Sequence, residues 1–380
     1  MRPPINAGLK IGIVINYKKA EKKKEELLSI TSSELPWLTL AKEKRYSKYI
    51  INRNGKKHVP YDVAIGLYIE HYYPKVEVDY ILPHHISKSR FKQNDLVFIV
   101  IYDLLEAFHL SNKSKFKKFK HALKTSGNVY PPYEYQKFIN NKCIYYKYLK
   151  EQGIKIVPTK CVTKKKWFAR DSDKYVSKLV KKIKKNEWES VIAKPVFGQE
   201  SIGFGKFMGT KKTGLLSKKK KLMRYFNKNF PKYKSIVLQE YIPGFDKDNQ
   251  ELRFFFVNGK YQYSMVTSNK EYGLSRHDGG KAKTNRKLWN SAKRLANRTI
   301  KILPKLKLPG IQKSPIITRV DIGTGLGDTP GSCFVNEVEF VPSLFVEEIN
   351  HSSFPILRRV AESLVKVAGV YKKKSKKKKY

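Results

Sequence analysis

Apolar side chains in this sequence fall into short bursts whose spacing changes along the chain. Residues 9–15 (LKIGIVI) form a run of strand length. Residues 95–102 (DLVFIVIY) are almost continuously apolar, the pattern of a strand buried on both faces. Residues 76–82 alternate apolar and polar positions, which suits a strand with one wet face. Between these runs, 18–30 has helical composition and 62–72 is a second helix candidate. Strands alternating with helices predict a small open α/β domain over residues 1–124. The first strand is followed by Asn16-Tyr17-Lys18-Lys19, with no glycine fingerprint, which excludes a dinucleotide-binding turn there.

Thr125, Ser126, Gly127, Asn128, Pro131 and Pro132 then mark a boundary. A helix over 135–152 carries Asn141 and Lys142 early and stops at Gly153. Residues 154–162 read as a strand broken by Pro158. A basic helix over 171–185 puts Tyr175, Leu179, Val180 and Ile183 on one face. Residues 191–195 are a strand ending in Lys194 and Pro195. It runs into a loop containing Gly198, Ser201, Gly203 and Gly205. Glycines there let backbone N–H groups close on phosphate oxygens, although no Gly-Lys-Ser/Thr sequence makes it a Walker A loop. A lysine-rich amphipathic helix (215–230) and a strand ending at a kink (235–244) follow. Residues 251–261 form a strand with an Asn258-Gly259 hairpin turn, continued by 263–268. A Gly- and Lys-rich loop (275–284), a helix (288–303) and a closing amphipathic helix (355–370) complete the pattern. Residues 371–380 are almost all lysine and predict a solvated, disordered tail.

The stretch 316–340 holds the strongest chemical signal. Residues 316–322 (IITRVDI) look like a buried strand with two charges in it, and 333–340 (CFVNEVEF) like a second strand with two carboxylates. Gly, Asp and Pro between them mark a hairpin connection. Such a hairpin sets Asp321 beside Glu337 and Glu339, and alternation sends both glutamates to one face. Crowded like charges repel unless a cation sits among them. Hard oxygen ligands without nearby Cys or His suit magnesium or manganese, which also bind substrate phosphates.

Composition adds a field to this picture. The 380 residues contain 79 Lys+Arg against 32 Asp+Glu, a formal charge of +47. That balance favours an anionic partner, whether nucleic acid, phosphates or an acidic polypeptide, or it reflects general lysine usage. Cys143, Cys161 and Cys333 have no metal or disulfide spacing and read as reduced thiols of a cytosolic-type compartment. His84 and His85 are adjacent rather than one helical turn apart, so a zinc site is not expected. No apolar run approaches the ~20 residues of a membrane span. The first residues, Met1-Arg2-Pro3-Pro4, lack the apolar core of a signal peptide. The expected location is cytoplasmic, with the lysine tail also suiting a nuclear address.

Taken in order, these segments resemble the ATP-grasp superfamily of ligases over roughly residues 125–370. The parts are Asn141 and Lys142 ahead of Gly153, Ile154, Pro158 and Thr159; "AKP" before a glycine loop (193–205); "QEYIPG" (239–244); "ELRFFFVNGK" (251–260); "RVD" (319–321); and "NEVE" (336–339) with Pro342. The carboxylate–amine/thiol ligases are the type resembled. The likeness is looser to D-alanine–D-alanine ligase and to enzymes that add glutamate or tyrosine to polypeptides. The resemblance implies an α/β (α+β) chain: a small open α/β domain, then a two-lobed grasp. The nucleotide-binding lobe would occupy about 160–240 and the metal-binding lobe about 241–370.

The resemblance also implies site roles. Lys142 and Lys194 match lysines that touch nucleotide phosphates, and the loop with Gly198, Ser201 and Gly203 matches the one that closes over them. Gln239, Glu240 and Ile242 match the hinge at the adenine edge, and Glu251 the acid on the ribose hydroxyls. Asp321 and Glu337 match two ligands of Mg2+ (or Mn2+). Glu339 stands where many members carry Asn, and a carboxylate there is still a hard oxygen ligand. Arg319 matches an arginine that steadies the phosphorylated intermediate, with Lys281 the best candidate in its loop for the terminal phosphate. The implied chemistry uses ATP to turn a carboxylate into an acylphosphate, from which an amine displaces phosphate. The acceptor stays open between an acidic peptide or protein and a small molecule. A catalytically silent grasp that binds nucleic acid or a partner through its basic surface is the reading from a different class.

Overall fold

The computed structural model describes residues 8–15, 27–30, 35–99, 104–169, 171–197, 202–209, 215–243, 245, 251–267, 272–308, 311–325, 332–340, 342–346, 349 and 355–377. The first part of the chain contains β1 (Leu9–Val14), β2 (Leu27–Ser29), β3 (Ile51–Arg53), β4 (Lys56–Pro60), α1 (Tyr61–Tyr72), β5 (Val76–Ile81), α2 (Lys88–Lys92), β6 (Leu96–Ile99), α3 (Leu104–Ser111), α4 (Lys113–Thr125) and β7 (Val129–Tyr130). A parallel sheet orders these strands β5–β1–β6–β7. Alternation divides its side chains between two cores. Leu9, Ile11, Ile13, Leu96 and Phe98 face α1, while Val14, Val97 and Ile99 face Phe119, Ala122 and Leu123 of α4. The continuous apolar run in β6 is the mark of that double burial.

The next elements are α5 (Tyr133–Ile139), α6 (Lys142–Glu151), β8 (Thr159–Thr163), α7 (Lys164–Phe168), α8 (Ser172–Lys185), β9 (Val191–Pro195), β10 (Gly205–Phe207), α9 (Lys219–Asn229) and β11 (Ser235–Glu240). They build a small antiparallel sheet ordered β10–β9–β11–β8. Helices α8 and α9 cover one face. Val176, Leu179, Val180, Ile183, Leu222 and Phe226 close a core there that is separate from the rest of the molecule.

The last part holds β12 (Glu251–Val257), β13 (Lys260–Thr267), β14 (Tyr272–Leu274), α10 (Arg286–Ile302), β15 (Leu306–Leu308), β16 (Ile311–Lys313), β17 (Ile317–Thr324), β18 (Cys333–Glu339) and α11 (Ile356–Lys377). A five-stranded sheet runs β14–β13–β12–β17–β18. Trp289, Ala292, Ala296 and Ile300 of α10 join its core. Asn258 and Gly259 both take positive φ, at 52° and 76°, as the β12–β13 turn requires. Helix α11 returns to the first sheet and packs on α1, β1 and β6.

Four expectations change. Residues 27–29 are a strand paired with β4, not the end of a helix over 18–30; residues 16–26 lie outside the described residues. The 135–152 helix is two helices, because Asn141 caps a new start by accepting from the Ile144 N–H at 3.2 Å. The lysine tail is not disordered throughout. Lysine propagates a helix well and no Gly or Pro interrupts 371–377, so α11 continues to Lys377. Lys372 Nζ also donates to the Gly8 carbonyl at 2.5 Å. Finally, Cys143 and Cys161 are joined by a disulfide. The separation of 18 residues carried no motif, yet β8 runs alongside the first turn of α6 and brings the two together. Cys333 is buried and takes no part in a disulfide. No described helix is long and apolar enough to cross a membrane.

Candidate active site

The hairpin β17–β18 forms as its sequence predicts. Arg319 lies opposite Glu339 and Asp321 opposite Glu337, with a register shift directly after Asp321. The shift adds a residue on β18, so alternation is broken between Val335 and Glu337. Gly323 is needed at this place: a Cβ there would lie 2.4 Å from the Phe334 ring. Oxygen atoms of Asp321, Glu337 and Glu339 come within 4.8 Å of one another. Asp321 is 2% exposed and Arg319 4%.

Four cations offset this negative charge. Arg319 Nε and Nη2 donate to the two Asp321 oxygens at 2.7 Å each, and Nη2 also pairs with Glu339 at 2.9 Å. Lys142 arrives from the first turn of α6 with its Nζ 2.6 Å from Glu337. Lys194, on β9, adds its field to Glu337. Arg253 Nε donates to Glu251 at 2.9 Å. Burial opposes the charge on Glu337, but Lys142 and Lys194 outweigh it and hold the carboxyl below its ordinary range. Glu339 is pushed up to about 7 by burial, and the nearby Glu337 and Asp321 add to the push against the pull of Arg319. Burial likewise raises the Asp321 carboxyl against its paired guanidinium. Burial disfavours the charge on Lys142, yet Glu337 overrides it and holds the ammonium above its usual value.

Glu251 joins the same group of charges. Its second oxygen accepts from Asn336 Nδ2 at 2.6 Å, and Tyr146 of α6 donates to the Asn336 carbonyl at 2.5 Å. Arg253, Asn336 and Tyr146 had no assigned role in the sequence. Arg253 was within reach of pattern reasoning, because it shares a strand face with Glu251 and pairs in register with Asp321.

The hinge candidates lie at the end of β11. Gln239 is fully buried, its Nε2 donating to Thr159 Oγ1 at 3.1 Å while Oε1 has no partner. The Glu240 backbone N–H donates to Pro158, and burial raises its carboxyl. Ile242 packs with Val157 and with Phe334 of β18. Gly203 has φ 72°, and a Cβ there would meet Pro195 at 2.7 Å, so the backbone at Gly203 passes closely over the end of β9. Gly198 and Ser201 lie outside the described residues. Lys281 is apart from the group: it is exposed in the bend before α10, with no hydrogen bond or ion pair to the carboxylates.

The donor set fits a hard divalent cation. Three carboxylates at this spacing supply oxygen ligands alone.

No protein-family model matches the sequence, and no curated protein matches it. Solved structures do. D-cycloserine synthetase DcsG aligns over 93% of this chain and 99% of its own, at TM-score 0.59 and 15% identity. D-alanine–D-alanine ligase from Bacillus anthracis, complexed with ATP, aligns over 95% and 98%, at TM-score 0.55 and 15% identity. D-alanyl-alanine synthetase A from Vibrio cholerae aligns over 95% and 99%, at TM-score 0.54 and 14% identity. At these identities the likeness establishes the fold, which is that of the ATP-grasp ligases.

Proposed function

We propose that this chain is an ATP- and magnesium-dependent ligase that joins a carboxylate to an amine through an acylphosphate. The observation that carries the reading is the trio Asp321, Glu337 and Glu339 faced by Lys142 and Lys194. A fold that had lost its chemistry would have no reason to keep three carboxylates crowded in a buried place. A divalent ion held by the trio would neutralise phosphate charge.

The residues then divide the work. The backbone from Gln239 to Ile242 receives the adenine edge, and Glu251 the ribose. Lys194 and the glycine loop hold the phosphates. Asp321, Glu337 and Glu339 would hold the metal ion, and Lys142, now paired with Glu337, would offer its ammonium to phosphate oxygen. Arg319 keeps its fork on Asp321 and Glu339 and so holds two ligands in place, with its charge directed at the phosphoryl group. Positioning and charge compensation in a low-dielectric cleft do the catalysis, and no side chain becomes covalently attached. Lys281 would need to approach from its loop to serve the terminal phosphate.

For the acceptor, the charge of +47 supports an acidic peptide or protein. The test is turnover of ATP to ADP and phosphate with magnesium, screened against pools of amino acids and acidic peptides. Acceptor-dependent ADP formation is expected. Nucleotide binding with no turnover in any pool would reject the ligase reading.

A further inference from the structure

The disulfide between Cys143 and Cys161 ties together two parts of the molecule that meet at the candidate site. Cys143 is the second residue of α6, directly after Lys142. That helix belongs to the larger core: Tyr145, Tyr146 and Leu149 are buried there, and its tyrosines bond the carbonyls of Asn336 and Ile302. Cys161 sits in the middle of β8, the edge strand of the small sheet, opposite Val237. The small sheet carries Lys194 and Gln239 and has its own core. Residues 152–158 join the two parts, and a swing of the sheet against α6 turns about this connection. A covalent bond from α6 to β8 bridges that connection.

We propose that Cys143 and Cys161 form a reversible thiol–disulfide modification site, whose reduction frees the small sheet to move against α6 and speeds nucleotide exchange. The nucleotide part rests on the function proposed above. The exposed member of the pair is Cys161, so it is the sulfur open to attack. The co-reactant is a dithiol reductant. Its thiolate attacks Cys161 Sγ, a mixed disulfide forms there, and the bond to Cys143 breaks. Cys143 leaves as a thiolate, favoured by its place in the N-terminal turn of α6, and takes a proton from water. The second thiol of the reductant then resolves the mixed disulfide and releases the Cys161 thiol. Two electrons and two protons pass from the dithiol to the pair. Cys333, buried and with its thiol pushed up by burial, is not a competitor.

The experiment uses the full chain, oxidised and then treated with dithiothreitol. Hydrogen exchange of residues 152–163 is followed together with dissociation of a fluorescent ATP analogue. Reduction is expected to increase exchange in this segment and to raise the dissociation rate roughly tenfold. Cys161→Ser and Cys143→Ser should both behave as the reduced protein and ignore dithiothreitol. Unchanged exchange on reduction, or two alkylatable thiols in the oxidised protein, would overturn the proposal. If the analogue does not bind at all while exchange still responds, the modification site stands and the nucleotide reading falls.

Discussion

The ammonium of Lys142 lies 2.6 Å from the Glu337 carboxylate, although helix α6 and strand β18 are separated by about half the chain. Lys142 is almost fully buried and Glu337 largely so. Each therefore depends on the other for its charge. Lys142→Ala should cost about 3–5 kcal/mol in metal-free protein, because it strands a buried carboxylate. Magnesium should restore part of the loss by replacing the missing cation. Chemical denaturation with and without magnesium measures both, and a variant as stable as the parent without metal would contradict the pairing.

Asp321→Asn and Glu337→Gln should each abolish magnesium-dependent turnover while the fold persists. The measurement is ADP release beside circular dichroism. Undiminished turnover in either variant removes that residue from the metal site.

Lys194→Ala should weaken ATP binding by about 1–3 kcal/mol, the loss expected for one charge-assisted contact. Titration calorimetry reads this directly. Its neighbour Lys142 could mask the loss, so the double variant should bind more weakly than either single one.

Removing residues 372–380 deletes the Lys372 bond to Gly8 and the end of α11. A loss of about 1 kcal/mol follows, the scale of one hydrogen bond, with turnover on a small neutral substrate unchanged. Thermal unfolding and ADP release separate the two effects. A fall in turnover at a temperature where the shortened protein is folded would give the tail a role at the site.

If charge selects the acceptor, kcat/KM for acidic peptides should drop steeply between low and physiological salt while neutral acceptors stay poor. A salt-insensitive activity on a neutral amino acid would end the acidic-acceptor reading and leave the ligase reading in place.

The carboxylate hairpin was legible because strand alternation and turn chemistry are local. Asp321, Glu337 and Glu339 could be placed from sequence spacing alone, and the structure brings them together. Strand β6 was legible for the same reason, as its apolar run needs two covered faces. Lys142 against Glu337 was not, since no periodicity connects a helix to a strand so distant in sequence. Neither was the Cys143–Cys161 bond, which depends on how β8 passes α6. The break at Asn141 was visible in principle: an asparagine inside a helical pattern is also a cap, and only the packing decides between them. In the tail, composition argued for disorder while helix propensity argued for continuation. Packing of Tyr371 against the large core and the Lys372 bond to Gly8 favoured the helix.

Helix α11 covers the sheet that β1 begins, so the earliest strand and the latest helix share one interior. While the protein is being synthesised, Leu9, Ile11 and Ile13 emerge long before residues 356–377, which pack on the same interior. Until residues 356–377 clear the ribosome, α1 covers that face without α11, and the part that α11 will take stays open to solvent. Over that interval the nascent chain is a natural client for chaperones that hold exposed hydrophobic surface, and a chain cut short before residue 356 would be recognised as misfolded.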